Sequence, residues 1–265
     1  MARGKVEGKP LKPPTGLAGK AVAKFLDGAE WCLAKFSRVG DKPVYRREDF
    51  PWSAAVEADW KAIRAELDQV MKRRDELPNF QDISSEVKTI QTDNNWKTFI
   101  FCGYGSWSEE NCRRCPATMA ALKKIPGMKT AFFSILSPHK HIPAHRGPYN
   151  GVLRLHLALL VPEPREKVTI RVDDQYCHWE EGKCLLFDDS YDHEVWNDTE
   201  GWRAVLFVDF VRPVWFPFNI LNWFILRAAV FTSFIREAQD NQNKWAKEFY
   251  AEAQKLRTNR GTLGH

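Results

Sequence analysis

The sequence predicts a mainly β domain, an antiparallel sandwich or barrel, with helices before and after it. Runs of four to eight β-branched or aromatic residues, bounded by turn residues, recur after residue 129. They span residues 130–136, 153–161, 168–172, 183–187 and 203–210. This spacing is typical of antiparallel sheets rather than of alternating strands and helices. The 265 residues are 44% hydrophobic and 28% charged, which is enough apolar material for a sizeable core.

Helices are predicted ahead of these strands. Residues 1–18 are rich in Gly, Pro and Lys and indicate a solvated arm, whereas residues 19–37 carry apolar side chains at helical spacing. That helix could pack on the body or lie as a basic helix in a membrane interface. Apolar residues at three- and four-residue intervals predict a second helix over residues 53–74, and Pro at a helix start predicts a third over residues 116–124.

The net charge of +5 belongs to one end of the chain. The first 24 residues hold six Lys or Arg and one Glu, so the rest of the chain is electrically balanced. A nucleic-acid partner is therefore not expected.

Six Cys residues, with no apolar leader after the basic start, favour reduced thiols in the cytoplasm. Cys112 and Cys115 have zinc-like spacing, but without a second such pair a structural zinc site is disfavoured.

Residues 214–235 form an apolar segment whose only charged residue is Arg227. Its polar interruptions, Asn219 and Asn222 among them, argue against an isolated membrane span. In a helical projection Asn222 joins a narrow polar arc, and Trp223 and Phe224 belong to a wider apolar arc. Such a helix either docks on the domain or lies in a membrane interface, and both interpretations stay open.

Histidines are concentrated in the predicted β region, where six of the seven occur between residues 139 and 193. This clustering favours a metal site, although a single His in a β domain is usually structural. Strand alternation places Arg154 and His156 on one face of residues 153–161. A cation and an imidazole inside a small barrel call for an anionic occupant, which Arg203 could also reach. Alternatively, Arg154 forms a structural salt bridge with Asp188, Asp189 or Asp192.

Two strings of residues carry a family resemblance: H-R-G-P at residues 145–148 and F-D-D-S-Y-D-H-E-V-W-N at residues 187–197. With Arg203, they make residues 95–213 resemble the aspartyl/asparaginyl β-hydroxylase family of Fe(II)/2-oxoglutarate dioxygenases. The resemblance implies a double-stranded β-helix, a cupin-like jelly roll. It also implies Fe(II), 2-oxoglutarate and O2 as cofactor and cosubstrates, with ascorbate as a candidate reductant.

The resemblance assigns roles to individual residues. His145 and His193 would be the two iron ligands. Arg203 and Ser134 would bind the distal carboxylate of 2-oxoglutarate, because a guanidinium is a permanently charged, bidentate donor and a hydroxyl adds a further hydrogen bond.

The resemblance also bears on the surroundings of the iron. Arg154 and His156 would face the carboxylate near the metal. Gly147 stands where a His-x-Asp motif would supply a third ligand, an absence typical of the family, in which water takes that position. Asp189, or its neighbour Asp188, could hydrogen-bond this water, with a structural turn contact as the alternative.

The resemblance favours a lipid substrate. Members of the family hydroxylate Asp or Asn in protein domains, or acyl chains of bacterial lipids. Segments of the chain resemble the lipid A 2-hydroxylase and ornithine-lipid hydroxylase branches; they are residues 59–76, 97–105, 112–128 and 222–224. Two alternatives remain open, a hydroxylase of Asp or Asn residues or of an amino acid, and a non-enzymatic cupin-like binding module.

These observations divide the chain into three parts. We expect a basic arm and short helix in 1–50, a dioxygenase domain in 51–213 and an apolar helix with a polar tail in 214–265. The domain would consist of a helical front to residue 128 and a jelly-roll core from residue 129. The resemblance to the lipid hydroxylase branches implies a cytoplasmic bacterial protein, peripheral or monotopic at the inner membrane. A basic arm and an apolar helix are two signals that together hold a protein at an anionic bilayer. Residues 1–36 and 214–235 would contact that membrane.

Overall fold

Two antiparallel sheets enclose the interior of the protein. The computed structural model describes residues 16–83, 93–229 and 240–241. The helices are α1 (Gly16–Lys35), α2 (Ser53–Glu57), α3 (Trp60–Met71), α4 (Phe80–Ile83), α5 (Glu109–Arg114), α6 (Pro116–Leu122) and α7 (Phe218–Ala229). The strands are β1 (Val44–Tyr45), β2 (Trp96–Gly103), β3 (Ser106–Trp107), β4 (Met128–Leu136), β5 (Lys140–His145), β6 (Val152–Leu160), β7 (Val168–Val172), β8 (Gln175–His178), β9 (Cys184–Phe187), β10 (His193–Asn197) and β11 (Arg203–Val211).

The order of the strands confirms the predicted jelly roll. The larger sheet has the order β1-β9-β6-β11-β4-β2-β3, and the smaller sheet has the order β5-β10-β7-β8. From β4 to β11 the chain therefore passes repeatedly between the sheets, four strands going to each, as in a double-stranded β-helix. The five strands predicted from apolar runs are β4, β6, β7, β9 and β11.

The sequence prediction missed strands in both sheets. In the smaller sheet it missed β5, β8 and β10, because a strand such as Lys140–His145, with Pro143 and two His, lacks an apolar run. β5 accommodates Pro143 because it is an edge strand. On the open side of an edge strand, the N–H that proline lacks is not needed for pairing with a neighbouring strand. The expected helical front is also incomplete, since β1 and β2 extend the larger sheet beyond residues 129–213 and cover edges that would otherwise be unpaired.

The larger sheet separates two hydrophobic cores. On its outer face, Leu155 and Leu157 of β6 belong to the core that contains Ile63 and Leu67 of α3. On its inner face, apolar residues from both sheets form the second core, which includes Phe207. The alternation predicted for β6 is therefore confirmed. Its leucines pack against helices, and its intervening residues point between the two sheets.

The predicted helix over residues 53–74 is two helices. α2 ends at Glu57, and α3 begins at Trp60 with Asp59 at its N-cap position. Asp is favoured where a helix starts, and its carboxylate here accepts a hydrogen bond from Lys124 at 2.5 Å. The break lets both helices bury an apolar face, Val56 from α2 and Ile63 from α3.

The first and last described helices lie side by side. The rings of Phe36 and Phe218 stack with centroids 4.3 Å apart, and the Trp215 N–H donates to the Phe36 carbonyl at 3.0 Å. The predicted helix over residues 19–37 thus corresponds to α1, which packs on α7. Residues 1–15 of the predicted arm and residues 230–235 of the apolar segment lie outside the described residues. Within the described residues, none of the helices has the length and apolar character needed to cross a membrane.

A buried ion pair joins the strand ends beneath these helices. Arg212 and Asp188 are both fully buried, and the guanidinium donates directly to the carboxylate. Arg212 Nε also donates to the Asn150 carbonyl at 2.6 Å, and its Nη1 donates to the Tyr45 hydroxyl at 3.0 Å. This network connects the ends of β9 and β11 with the turn before β6.

We expect Asp188→Asn to lower the free energy of unfolding by about 3–5 kcal/mol, because it removes the buried counterion of Arg212 and leaves only the distant carboxylate of Asp41, at 4.0 Å. Chemical denaturation measures this change. Glu76→Gln is the matched control, since its partner Arg73 lies on the surface and the change should cost less than about 1 kcal/mol. Equal effects of the two substitutions would contradict the importance of the buried pair.

Candidate active site

Two histidines meet at one end of the barrel. His145 ends β5, His193 begins β10, and the two residues are paired directly across the smaller sheet. Their ring centroids are 4.1 Å apart, with the ring planes inclined by 51°. The sheet register thus brings together the two residues that the family resemblance implied as metal ligands.

Hydrogen bonds orient both imidazoles for metal binding. His145 Nδ1 lies 2.8 Å from the Pro143 carbonyl, and His193 Nδ1 lies 3.0 Å from the Tyr191 carbonyl. Since a carbonyl oxygen only accepts, each Nδ1 carries the hydrogen and each Nε2 keeps a lone pair. Burial lowers the pKa of His145 to about 4 and the pKa of His193 well below its ordinary value. Both rings are therefore neutral, the form that binds a metal ion.

A carboxylate lies beside the position of the expected third ligand. The Gly147 N–H donates to the Asp189 carbonyl at 2.7 Å, and a Cβ at residue 147 would overlap the Asp189 carboxylate. Burial raises the pKa of Asp189 to about 7, and its Oδ1 has no hydrogen-bond partner among the described residues. Within the same residues, no third His, Cys, Asp or Glu completes a metal-binding cluster with the two histidines.

A row of rings leads from the histidine pair into the barrel. Phe187 contacts His193 with centroids 5.8 Å apart, and His156 with centroids 5.1 Å apart. His156 in turn stacks on Trp179 at 6.0 Å, and the Arg203 guanidinium lies 4.0 Å from the centre of the Trp179 ring. The rings therefore connect His193, His156 and Arg203 in one continuous row.

The inner end of this row holds a cation with no counterion. Arg203 is 2% exposed, forms no ion pair within the described part of the chain, and has an unpartnered Nε there. Burial lowers its pKa to about 9. Both ring nitrogens of His156 are also buried without a hydrogen-bond partner among the described residues, and burial holds its pKa well below the ordinary value. Such groups are costly to bury unless a ligand supplies the missing acceptors, so an anion fits this position.

Ser134 is placed to assist Arg203. It lies on β4 opposite Val205 of β11, which makes it the diagonal inward-facing neighbour of Arg203. The Ser134 hydroxyl accepts a hydrogen bond from Trp96 Nε1 at 3.0 Å. Because this contact uses a lone pair of the hydroxyl oxygen, the hydroxyl hydrogen can be donated to a bound anion.

Arg154 is already paired with two carboxylates. Its Nε donates to Asp209 Oδ1 at 2.8 Å, and its Nη2 lies 2.8 Å from Asp189 Oδ2. The predicted alternative of a salt bridge to Asp189 is confirmed. Asp209 was missed, because it faces Arg154 through the register of β6 and β11 rather than through any motif.

Not every histidine of the cluster belongs to this site. His141 lies on the outer face of the smaller sheet and contacts Glu194 at 2.7 Å, and His139 contacts Glu200 at 3.0 Å. His178 ends the edge strand β8. The sequence analysis also missed Trp179, although this residue lies within residues 95–213, which resemble the family. The contact that links Trp179 to the site is with Arg203, and only the folded structure brings these two residues together.

The Cys112–Cys115 pair is not a metal site in the described structure. All six cysteines are free thiols. Burial raises the pKa of Cys112 to about 11 and that of Cys115 to about 12, so both stay protonated at neutral pH. Cys112 Sγ contacts the Phe101 carbonyl at 3.5 Å. Cys115 is therefore an ordinary buried thiol and Cys112 an ordinary half-buried one.

Comparison with known proteins agrees with this geometry. Residues 57–213 match the model of a family described as aspartyl/asparaginyl β-hydroxylase. The chain is 57% identical over 229 residues to an ornithine lipid ester-linked acyl 2-hydroxylase from Rhizobium tropici, an alignment covering 86% of this chain and 82% of that protein.

More distant relatives share a part of the chain. The human aspartyl/asparaginyl β-hydroxylase is 35% identical over 168 residues, which cover 62% of this chain and 21% of the human protein. Among solved structures, a prolyl-4-hydroxylase from Pseudomonas putida aligns with a TM-score of 0.38 and 19% identity, over 58% of this chain and 87% of that one.

We expect Gly147→Ala to weaken metal binding by about tenfold or more, because its Cβ would displace the Asp189 carboxylate beside the histidine pair. Anaerobic titration with Co²⁺, followed by absorption, measures the affinity. Gly28→Ala is the matched control, since nothing lies within 4 Å of a Cβ added there. An unchanged affinity in Gly147→Ala would show that Asp189 does not support the metal site.

Proposed function

This chain belongs to the aspartyl/asparaginyl β-hydroxylase family, and we propose that it is an Fe(II)- and 2-oxoglutarate-dependent hydroxylase acting on the acyl chain of a membrane lipid. That it is a hydroxylase follows from the family. The best support for 2-oxoglutarate as cosubstrate is that Arg203 is a buried cation without a counterion among the described residues. A row of rings joins Arg203 to the histidine pair.

His145 and His193 would hold the iron through their Nε2 atoms. Two neutral imidazoles suit Fe(II) and leave several coordination positions for a bidentate 2-oxo acid, O2 and water. When bound, the iron supplies the oxidation of an unactivated C–H bond with O2, while 2-oxoglutarate is converted to succinate and CO2. The chain itself binds and orients the reactants.

Arg203 and Ser134 would bind the distal carboxylate of 2-oxoglutarate. A fully buried guanidinium offers a charged, bidentate set of donors, and the Ser134 hydroxyl adds one more. The stack of Arg203 on Trp179 holds the guanidinium in place before the cosubstrate arrives. A dicarboxylate also supplies the negative charge that this end of the barrel lacks.

Arg154, His156 and Asp189 would complete the surroundings of the iron. The aspartates take Nε and Nη2 of Arg154, so its Nη1 can face the carboxylate near the metal together with a His156 nitrogen. Asp189, held by Arg154, keeps Oδ1 available to accept a hydrogen bond from water at the position that Gly147 leaves without a ligand.

The substrate proposal rests on the extent of similarity. The bacterial relative that acts on the acyl chain of an ornithine lipid is similar over most of both chains, whereas the human protein hydroxylase is similar over about a fifth of its own length. An ornithine-lipid acyl chain is therefore the proposed substrate. The proposed location is peripheral, at the cytoplasmic side of a bacterial inner membrane, with residues 1–36 and 214–235 at the lipid surface.

We expect Arg203→Lys to raise the KM for 2-oxoglutarate by about tenfold or more, because a point charge replaces a bidentate fork. Succinate release at varied 2-oxoglutarate concentration measures it. Arg165→Lys is the control, since Arg165 pairs only with exposed Glu163 in the described structure. An unchanged KM in Arg203→Lys would remove Arg203 from the cosubstrate site.

We expect mass spectrometry of lipids from a host that makes ornithine lipid to show the gain of one oxygen atom on an acyl chain when the protein is expressed. His193→Ala should abolish this gain, because one of the two proposed iron ligands is lost. His141→Ala, on the outer face of the sheet, should leave it intact. Hydroxylated lipid in the His193→Ala strain would contradict the iron assignment, and unmodified lipid with the wild-type protein would contradict the substrate.

A further inference from the structure

Helix α7 is held on the body of the protein by Asn222 and Leu226, which are both buried. The Asn222 Oδ1 accepts a hydrogen bond from the Tyr149 hydroxyl at 3.1 Å, and its Nδ2 donates to the Gly151 carbonyl at 2.8 Å. Trp223 and Phe224, by contrast, are 57% and 60% exposed. The exposed side of α7 therefore carries large aromatic rings beside the charged Arg227.

Neighbouring segments extend this exposed surface. Trp215 and Phe216 precede α7 and are 59% and 76% exposed, and Phe25 and Trp31 of the adjoining α1 are similarly exposed. We call these six side chains, Phe25, Trp31, Trp215, Phe216, Trp223 and Phe224, the aromatic face. Scattered exposed apolar residues are normal, but six large exposed rings, four on two paired helices and two just before α7, mark an interaction surface.

Cations accompany these rings. Lys35 Nζ lies 4.7 Å from the centre of the Trp31 ring, and the Arg38 guanidinium lies 5.0 Å from the centre of the Trp215 ring. Arg227 is exposed on α7. Tryptophans flanked by Lys and Arg are typical of the boundary between acyl chains and anionic headgroups. In a twofold dimer this patch would face a second copy of itself, so its cations would be buried against a surface that also carries Lys35, Arg38 and Arg227.

The aromatic face lies at the end of the barrel that carries the histidine pair. Residues 146–151, which directly follow His145, are held by both helices. Asn150 Nδ2 donates to the Glu30 carbonyl of α1 at 2.9 Å, and Asn222 of α7 binds Gly151. Helix α7 also follows the end of β11 closely, so it stays near the strand ends around the site.

We infer that the aromatic face of α1 and α7 docks on an anionic bilayer and thereby places the mouth of the site at the lipid surface. The choice of a lipid partner rests on the proposed function. Hydrogen bonds of both helices to residues 146–151 transmit the docked position to the segment that follows His145. The acyl chain would then approach the histidine pair from the membrane side.

The test is sedimentation of the full chain with vesicles of phosphatidylcholine containing about one third phosphatidylglycerol, without iron or 2-oxoglutarate. We expect Trp223→Ser/Phe224→Ser to weaken binding by about tenfold per ring removed. Tyr176→Ser is the control, because Tyr176 is 66% exposed on the smaller sheet. Lys35→Glu/Arg38→Glu should weaken binding at low salt and leave binding to pure phosphatidylcholine unchanged.

Wild-type vesicle affinity in the Trp223→Ser/Phe224→Ser variant would overturn the inference, as would an equal loss in Tyr176→Ser. Sedimentation velocity provides a second test. If the wild-type protein is a dimer and this variant is a monomer, the aromatic face binds a second copy of the chain and the inference is overturned. Since binding is measured without the reactants, its failure is distinct from failure of the proposed hydroxylation. If the wild-type protein both binds vesicles and hydroxylates lipid, the Trp223→Ser/Phe224→Ser variant should lose hydroxylation of lipid in vesicles. The same variant should keep hydroxylation of lipid dispersed in detergent.

Discussion

Burial of charge inside the barrel is the constraint on which the site depends. Strands β6 and β11 direct Arg154, Arg203 and Asp209 between the two sheets, where charged groups are costly without partners. Arg154 is compensated by two carboxylates, and Arg203 is compensated by none within the described chain. The interior thus holds one cation that is balanced by carboxylates and one that is not, at least by the described residues, and the second is the proposed position of the cosubstrate carboxylate.

The larger sheet makes this arrangement stable. Its outer face packs leucines of β6 against α3, so the inner face can carry polar side chains without loss of a continuous core. Apolar residues of the smaller sheet, including Ile170 and Val195, seal the interior from the opposite side. Histidines 145 and 193 lie where this interior reaches the strand ends, at the end of β5 and the start of β10.

Helices outside the barrel connect the site to its surroundings. Arg212 and Asp188 join the strand ends, and Glu30 and Asn222 hold the segment that follows His145. Asn222 binds Gly151 from the buried side of α7, and Trp223 and Phe224 lie on its exposed side, so the same helix holds a segment of the site and carries the proposed lipid surface. Substrate access and membrane contact would therefore have one structural origin.

Local pattern was sufficient for part of this protein. Alternation along residues 153–161 predicted that Arg154 and His156 share the inward face, since side-chain direction in a strand depends only on the strand itself. The H-R-G-P and F-D-D-S-Y-D-H-E-V-W-N strings identified His145, His193 and Asp189 because a family preserves such spacing. Tertiary structure alone decided the pairing of Arg154 with Asp209, the stacking of Arg203 on Trp179 and the inward orientation of Asn222. These contacts join residues far apart in the chain, and their partners are chosen by sheet register and packing, which no local pattern encodes.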